Sequence, residues 1–262
     1  MYFTNRKASL LWIAASYIVC GFILQLFVVV DFAYASSHIT KQEKEGCFIV
    51  LVGKDRTTDG SVLVAHNEDG ADKSTRLVYV PRKQYSKKNV RLNYVTMPQV
   101  PETLAYWVMG NSKAVAIKPE YDNEWILNGM NEAGVIVTSA VTFTKETAPP
   151  AKQGLTRFAI RQLILERATS ARAAVDLFSN LVSEYGLALA PGDPNQTVAF
   201  GVADSKEAWL IESSFRHWVA KRVPDDSYSA SGNSYIIDTD WDLAGPGLID
   251  YAIQQGWYDP TQ

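Results

Sequence analysis

Hydrophobic and polar positions divide the chain into an apolar leader, a polar spacer and a long segment of predicted strands and helices. Arg6 and Lys7 precede a run from 8 to 30 that is almost entirely apolar, and Ala33-Tyr34-Ala35 follows it. A basic start, an apolar stretch and a small-x-small end are typical of a signal peptide. The run is also about long enough, at ~20 residues, to cross a bilayer as an uncleaved anchor. We therefore predict that residues 1–35 are a signal peptide or signal anchor and that the remainder is exported, whether secreted, periplasmic or at the cell surface.

The polar spacer ends where the predicted folded domain begins. Residues 36–46 (SSHITKQEKEG) offer almost nothing to bury, which predicts a propeptide or spacer without a core of its own. At Cys47 the pattern changes to a continuous apolar run through Val52, as expected of a strand buried on both faces. The turn-forming residues 57–60 and the apolar segment 61–66 then complete a predicted hairpin.

Patterns farther along the chain predict more hairpins and a helical stretch. A second hairpin is predicted around Asn131-Glu132-Ala133-Gly134. Apolar residues from 155 to 185 recur at helical spacing, and Gly186 ends the pattern as a cap. Between 77 and 119 the pattern predicts short strands without determining their order. Further strands are predicted at 197–203, 207–213 and 217–223. Hairpins, then helices, then more hairpins predict an α+β domain with antiparallel sheets over residues 47–262.

Composition and charge exclude some classes of function. The 262 residues are 47% hydrophobic and 20% charged, as in an ordinary globular protein. The net charge of −3 provides no basic surface for phosphates, so nucleic acid is not an expected partner. The three histidines include no His-x-x-x-His pair, so no metal site is predicted. Cys20 lies in the leader, which leaves Cys47 as the single thiol of the exported domain.

Cys47 is the candidate nucleophile because it opens a predicted buried strand directly after Gly46. Cleavage between the two residues would place a thiol and an α-amine on one residue. An α-amine has a pKa near ~8, so it can accept the thiol proton close to neutral pH. Three alternatives stay open: a cysteine that only fills the core, a papain-like pair of Cys47 with His217, and an exported binding domain without catalysis.

Several motifs in order give this chain a family resemblance. They are Cys47-Phe48-Ile49-Val50-Leu51-Val52-Gly53-Lys54, Asp59-Gly60-Ser61, Asn67-Glu68-Asp69-Gly70, Asn128-Gly129-Met130-Asn131-Glu132-Ala133-Gly134-Val135, Gly154-Leu155-Thr156-Arg157 and Ala203-Asp204-Ser205-Lys206-Glu207-Ala208-Trp209. In this order they resemble the secernin-like dipeptidases, which are cysteine N-terminal-nucleophile (Ntn) hydrolases. The family is more distantly similar to penicillin V acylase and bile salt hydrolase. The resemblance covers nearly everything from Cys47 onward.

The resemblance implies both a fold and an activity. The implied fold is a four-layer αββα sandwich, in which two antiparallel sheets lie face to face between helices. The implied activity is hydrolysis of peptide bonds in small peptides, after autoprocessing at Gly46-Cys47 and without metal or organic cofactor. An acylase-type amidohydrolase acting on non-peptide amides is the alternative within the same fold. Small peptides are thus the expected partners, a membrane is one only if the leader stays as an anchor, and no oligomeric state is indicated.

The resemblance also implies roles for particular residues. Cys47 matches the nucleophile, and Asp69 matches the carboxylate that orients its freed amine. Asn131 matches an asparagine whose amide contributes to the oxyanion hole, and Asn233 matches a second polar contact near the site. His66 stands where many relatives carry arginine, so a permanent positive charge is replaced by a group that titrates near ~6.5. Relatives also continue beyond the last residue of this chain, so we expect a C-terminally truncated domain.

Overall fold

The computed structural model describes residues 46–69, 75–111, 126–188 and 195–261. The predictions for the leader and for most of the spacer fall on residues 1–45, which lie outside the described residues. Within the described ranges, none of the helices has the length and apolar character needed to cross a membrane.

Strands dominate the described residues. They are β1 (Phe48–Val52), β2 (Leu63–Asn67), β3 (Thr75–Val80), β4 (Lys83–Gln84), β5 (Asn89–Leu92), β6 (Val95–Pro98), β7 (Glu102–Thr103), β8 (Tyr106–Asn111), β9 (Ile126–Asn131), β10 (Ile136–Phe143), β11 (Gln196–Ala203), β12 (Ala208–Ser214), β13 (His217–Val223), β14 (Tyr228–Ser231) and β15 (Leu243–Ala244). The helices are a short 3₁₀ turn (Lys54–Arg56), α1 (Arg157–Arg167), α2 (Ala171–Tyr185) and α3 (Leu248–Gln254).

Two sheets organise these strands. A three-stranded sheet has the order β14-β1-β2, and an eight-stranded sheet has the order β15-β13-β12-β11-β10-β9-β8-β3. The named strands pair antiparallel in both sheets, as in the pairs Ile49–His66 and Ser139–Phe200. The prediction of an α+β domain with antiparallel sheets is therefore confirmed.

The eight-stranded sheet has a helix layer on one face and the three-stranded sheet on the other. Helix α1 contacts β9 and β10, and α2 contacts β11 and β12. Phe178 of α2 packs with Phe200 in the core on this side, which we call the helix face. On the opposite, inner face, Ile49 and Leu51 of β1 form a second apolar cluster with residues such as Leu210. The layers run helix, sheet, sheet, in keeping with the αββα sandwich that was predicted.

The predicted helical stretch 155–185 is two helices rather than one. The hydroxyl of Thr156 accepts a hydrogen bond from the Ala159 amide (3.2 Å) at the start of α1. The hydroxyl of Ser170 accepts one from the Ala173 amide (3.1 Å), so a new helix begins there. Gly186 ends α2 at a φ of +70°, which is the predicted cap. The apolar periodicity continues across the break, and only the capping serine reveals it.

Strand β14 was not predicted, and it positions part of the site. It pairs with β1 so that Ser231 lies opposite Ile49. The segment after β14 is therefore placed beside the start of β1, where Cys47 lies.

Candidate active site

Cys47 lies immediately before β1, the central strand of the three-stranded sheet. It is a free thiol, only 7% exposed, and it belongs to the same apolar cluster as Ile49 and Leu51. Residues at i, i+2 and i+4 of a strand share one face, so the Cys47 side chain points between the two sheets. Strand β1 thus holds the thiol at the edge of the apolar layer between the two sheets.

His66 and Glu68 join Cys47 in one cluster. One ligand atom from each of the three lies within 4.8 Å of the other two. His66 Nε2 is 3.7 Å from Glu68 Oε2, and the other ring nitrogen, Nδ1, is 3.2 Å from Asn128 Nδ2. Strand β2 supplies His66, which pairs with Ile49, and Glu68 follows two residues later, so both side chains lie on the face of the three-stranded sheet that carries Ile49. The imidazole therefore contacts Asn128 through Nδ1 and Glu68 through Nε2, and one of its ring nitrogens lies within 4.8 Å of the thiol.

This cluster is also the group that could hold a metal ion among the described residues. A thiolate, an imidazole and a carboxylate are all ligands that zinc accepts. Sequence spacing did not predict the group because its members come from two strands rather than from one helix. A metal ion bound here would coordinate the Cys47 thiolate and prevent it from acting as a nucleophile.

Asp69 and Asn67 hold the backbone of Gly46, the residue just before Cys47. Asp69 Oδ2 accepts a hydrogen bond from the Gly46 amide at 2.8 Å. Asn67 Nδ2 donates to the Gly46 carbonyl oxygen at 3.3 Å. Asp69, which the resemblance assigned to the Cys47 amine, therefore lies beside the predicted cleavage site and contacts the neighbouring nitrogen.

Asn233 lies on the segment that β14 places beside Cys47. Its neighbour Gly232 is so close that a Cβ there would be 3.9 Å from the Cys47 carbonyl oxygen. Asn233 Nδ2 donates one hydrogen bond to the Val141 carbonyl at 2.6 Å. An amide nitrogen carries a second hydrogen besides the one that Asn233 donates to Val141.

Asn131 is not part of this group, and its predicted role in the oxyanion hole is wrong. Its amide nitrogen donates to the carbonyls of Leu165 (3.1 Å) and Ala168 (2.7 Å) at the end of α1. Its oxygen accepts from the amides of Ala133 (3.1 Å) and Val135 (3.0 Å) in the β9–β10 turn. The side chain therefore lies on the helix face, on the other side of the sheet from Cys47, and both of its donor hydrogens are used there.

His217 is not the histidine near the thiol, so the Cys47–His217 alternative is wrong. Its Nδ1 is 3.1 Å from Glu146 Oε1, and its ring stacks on Tyr251 at 4.3 Å. The paired positions Val141–Val198–Ser213–Trp218 cross three strand spacings, roughly 14 Å in all. His217 lies next to Trp218, at one end of this series. Asn233 contacts Val141 at the other end, and Cys47 shares an apolar cluster with Ala140, the neighbour of Val141. The histidine that the structure brings to Cys47 is His66.

A buried arginine, not predicted as a site residue, adds positive charge near the cluster. Arg161 of α1 is 1% exposed and donates to the Leu127 carbonyl, next to the Asn128 that contacts His66. Among the described residues its Nε has no hydrogen-bond partner. Burial lowers the pKa of the guanidinium to about 9, against electrostatic attraction from Glu68 and Cys47. The group therefore stays charged at neutral pH and favours negative charge on the cluster. Because the same helix carries other polar side chains, such as Arg157 and Gln162, the sequence did not single out Arg161.

A pocket of ≈ 270 Å³ opens beside the cluster, between the β2 edge of the three-stranded sheet and the inner face of β3, β8, β9 and β10. His66, Asn128 and Thr138 are its polar lining. The remaining lining is mostly apolar: Val64, Leu77, Trp107, Met109, Gly129, Met130 and Ile136. The hydroxyl of Thr138 has no hydrogen-bond partner among the described residues. The pocket therefore suits an apolar group that ends in, or is flanked by, a polar one.

Taken together, a strand-borne thiol, an adjacent peptide clamp and an inner-face pocket define a candidate cysteine hydrolase site on a two-sheet sandwich. Residues 46–257 match the family described as Peptidase family C69, and the chain belongs to that family.

Curated relatives and solved structures extend the comparison. The chain is 31% identical over 248 residues to "Probable dipeptidase" of Salmonella dublin, covering 88% of this chain and 54% of the relative. It is 30% identical over 209 residues to "Probable dipeptidase B" of Lactococcus lactis, covering 76% of this chain and 41% of the relative. The solved penicillin V acylase of Agrobacterium tumefaciens is 16% identical with a TM-score of 0.46, covering 67% of this chain and 49% of that one. The chain thus spans about half the length of the curated relatives it matches.

Proposed function

We propose that this chain carries the nucleophile of a cysteine dipeptidase, which hydrolyses peptide bonds of small peptides once Cys47 has become its first residue. The observation that carries the proposal is the placement of Cys47. In a member of Peptidase family C69, the single thiol of the described residues lies at a strand start, within 4.8 Å of His66 and Glu68. Relatives named as dipeptidases support the substrate class.

The chemistry is acyl transfer through a thioester. The free α-amine of Cys47 accepts the thiol proton, and the sulfur attacks the carbonyl carbon of the substrate peptide bond. The tetrahedral intermediate places negative charge on the former carbonyl oxygen, which requires a fixed donor. The second amide hydrogen of Asn233 is such a donor, because this side chain is held beside Cys47 by its bond to Val141. The amine of the leaving residue takes the proton, and water then hydrolyses the thioester.

The pocket favours substrates with one apolar side chain beside the scissile bond. Its volume of ≈ 270 Å³ accommodates a large side chain but not a folded polypeptide. The apolar wall formed by Trp107, Met130 and their neighbours would exclude water from that side chain, and His66 lies between the wall and the thiol.

Export and processing complete the proposal. The leader directs the protein out of the cytoplasm, and the spacer 36–46 is lost with the cut at Gly46-Cys47. The basic start, apolar run and Ala-x-Ala end support the first step, and the clamp on Gly46 by Asp69 and Asn67 supports the second. Sequencing the N-terminus of active protein from fractionated cells tests both steps at once.

The proposal is tested with a panel of dipeptides and a Cys47→Ala variant. Removing a nucleophile costs as much as about 10⁶ in turnover, so hydrolysis should fall to background while the fold is retained. Alkylation of the parent protein with iodoacetamide should have the same effect. A folded Cys47→Ala protein that still hydrolyses dipeptides would refute the proposal, and so would an active protein that keeps residues before Cys47. Hydrolysis of phenylacetyl amides but of no dipeptide would favour the acylase alternative.

A further inference from the structure

Cleavage at Gly46-Cys47 poses a chemical problem that the mature mechanism does not solve. Before the cut, the nitrogen of Cys47 belongs to a peptide bond and cannot accept a proton. The base that serves the mature enzyme is therefore absent at the moment when it must be produced. Another group must activate the thiol in the precursor.

We propose that the end of β2 forms a separate self-cleavage centre, in which His66 is the base and Asn67 is the oxyanion donor. This inference rests on the proposed processing at Gly46-Cys47. Three observations converge on Gly46 and Cys47. His66 lies within 4.8 Å of Cys47, Asn67 Nδ2 donates to the Gly46 carbonyl oxygen at 3.3 Å, and Asp69 Oδ2 accepts from the Gly46 amide at 2.8 Å.

Asn67 is aimed at the atom that becomes negative. The Gly46 carbonyl is the carbonyl of the scissile bond, and attack on its carbon turns its oxygen into an oxyanion. A donor already bonded to the ground-state oxygen strengthens its bond as charge develops. Phe48 and Asn67 are paired across β1 and β2, so the register of the hairpin sets this position.

His66 is suited to the proton transfer. Its side chain is only 5% exposed, and Asn128 holds its Nδ1 edge. The Nε2 edge faces Glu68 and lies in the cluster with the Cys47 thiol. Glu68 and Cys47 are the described ionisable groups at this edge, and the buried Arg161 is the nearby cation that interacts with both. With the Asn128 amide turned so that its oxygen accepts the Nδ1 hydrogen, the neutral imidazole has its lone pair on Nε2, where it can accept the thiol proton and return it later.

The steps balance without any further reactant except water. His66 takes the proton of the Cys47 thiol, and the sulfur forms a bond to the Gly46 carbonyl carbon. The carbon–nitrogen bond to Cys47 then breaks, and the imidazolium of His66 returns the proton to the departing amine. Water hydrolyses the resulting thioester, which yields a Gly46 carboxylate and a free Cys47 thiol with its α-amine.

The same arrangement explains why the two centres are successive rather than simultaneous. Once Gly46 leaves, Asn67 loses the oxygen that it contacts, and the Asp69 carboxylate loses the Gly46 amide. Asp69 then lies next to the new amine of Cys47, in the role that the family resemblance assigns. His66 is replaced as base by that amine. Residues 66 and 67 therefore matter most for the cut, and Asn233 matters most for substrate hydrolysis.

The test separates the cut from hydrolysis by using two forms of the protein. The first is the full chain, in which intact mass follows cleavage between Gly46 and Cys47 over time. The second is a chain released from a fused tag so that it starts at Cys47, in which dipeptide hydrolysis is measured. The variants Asn67→Ala, the isosteric Asn67→Asp and His66→Gln are made in both forms, with the exposed Asn89→Ala as matched control. Thermal unfolding identifies any variant that fails to fold.

We expect cleavage to slow by about 10²–10³ in both Asn67 variants. His66→Gln should slow it by about 10²–10⁴. In the chain that starts at Cys47, the same substitutions should cost hydrolysis far less than they cost the cut. Cleavage at the Asn89→Ala rate in the Asn67 and His66 variants would overturn the inference, as would equal losses in both forms or a parent chain that never cuts at this bond. A parent chain that cuts itself but hydrolyses no dipeptide would refute only the proposed function.

Discussion

The two faces of the eight-stranded sheet were built from similar strands but serve different purposes. On the helix face, large side chains such as Phe200 and Trp209 pack against α1 and α2. On the inner face, the same strands present small residues, including Ala140 and Ala203, toward the sheet that carries Cys47. Large side chains exclude water and stabilise the fold, whereas small ones let a second sheet approach closely enough to place its chemistry.

Gly201 shows how close that approach is. A Cβ at this position would lie 2.9 Å from Ile49 Cγ2 and 3.1 Å from Thr138 Cγ2. Any larger residue would collide with the side chains of Ile49 and Leu51, so these side chains or β1 itself would have to shift. The inner face therefore has smaller side chains, and the position of β1 is fixed by its close approach to them.

Two asparagines make the comparison testable, because one lies on the helix face and the other near the inner-face thiol. The larger effect on catalysis is expected for Asn233. Asn233→Ala should lower kcat by about 10²–10³, the usual loss of one oxyanion donor, with little change in KM. Steady-state kinetics on a dipeptide measures this, and urea unfolding should show nearly parental stability. A change in KM alone would assign Asn233 to substrate binding instead.

Asn131 should behave in the opposite way. Asn131→Ala leaves the buried Leu165 and Ala168 carbonyls and two turn amides without their partner. Unpaired buried groups cost about 1–3 kcal/mol each before relaxation, so a loss of about 3 kcal/mol in the free energy of unfolding is expected. Urea denaturation measures it, while kcat per folded molecule should change little. Parental stability combined with a large fall in kcat would return Asn131 to the active site.

These two residues also show how far sequence reasoning could go. The motif around Asn131 was recognisable, and so was the hairpin, because turn residues and alternation are local signals. The face on which an asparagine lies depends on strand parity and on which layer covers that face. The motif determines neither the strand parity nor the covering layer. Asn131 was therefore assigned to the wrong side of the sheet.

Pairing between strands that are far apart in the sequence was a second feature that sequence patterns could not predict. The hairpin from Cys47 to His66 was predicted because both strands are adjacent in sequence. The pairing of β1 with β14 joins residues some 180 positions apart, and β14 is only four residues long (Tyr228–Ser231). Asn233 could thus be named from a short motif but not placed beside Cys47. Arg161 gave still less signal, because an arginine on a helix usually lies in solvent.

A substitution in the wall of the pocket should have a smaller effect, confined to substrate binding. Trp107 lines the pocket and is half-exposed, so Trp107→Ala removes apolar contact without opening the core. If about 50 Å² of substrate surface loses its contact, about 1.2 kcal/mol is lost, or roughly a tenfold rise in KM for dipeptides with apolar side chains. Kinetics on alanine- and leucine-containing dipeptides measures it. Tyr94→Ala, an exposed aromatic outside the pocket lining, is the control. Equal effects on both substrates would place the side chain elsewhere.

The smallest expected effect concerns a carboxylate that anchors the Asn233 segment. Glu212 lies on β12 at the same parity as Leu210, so it shares the inner face. Its oxygens accept hydrogen bonds from the amides of Ile236 (2.6 Å) and Ile237 (3.1 Å). Burial nevertheless raises the pKa of this carboxyl above its ordinary value of 4.5, because desolvation outweighs the two amide bonds.

The sign of the pH dependence follows from that direction. Because the folded protein holds the Glu212 proton more tightly than the unfolded chain does, the contribution of this group to stability is fully present below its ordinary pKa of 4.5 and is lost as pH rises through the higher folded pKa. Glu212→Gln removes the titration, so the variant should gain stability relative to the parent as pH increases over this window. Urea unfolding at several pH values measures the difference, and Glu184→Gln, at an exposed position on α2, is the control. A difference that stays constant with pH would mean that the anchor acts through its hydrogen bonds alone. The inner face would then tolerate a buried charge at no cost, and the contrast between the two faces would rest on packing only.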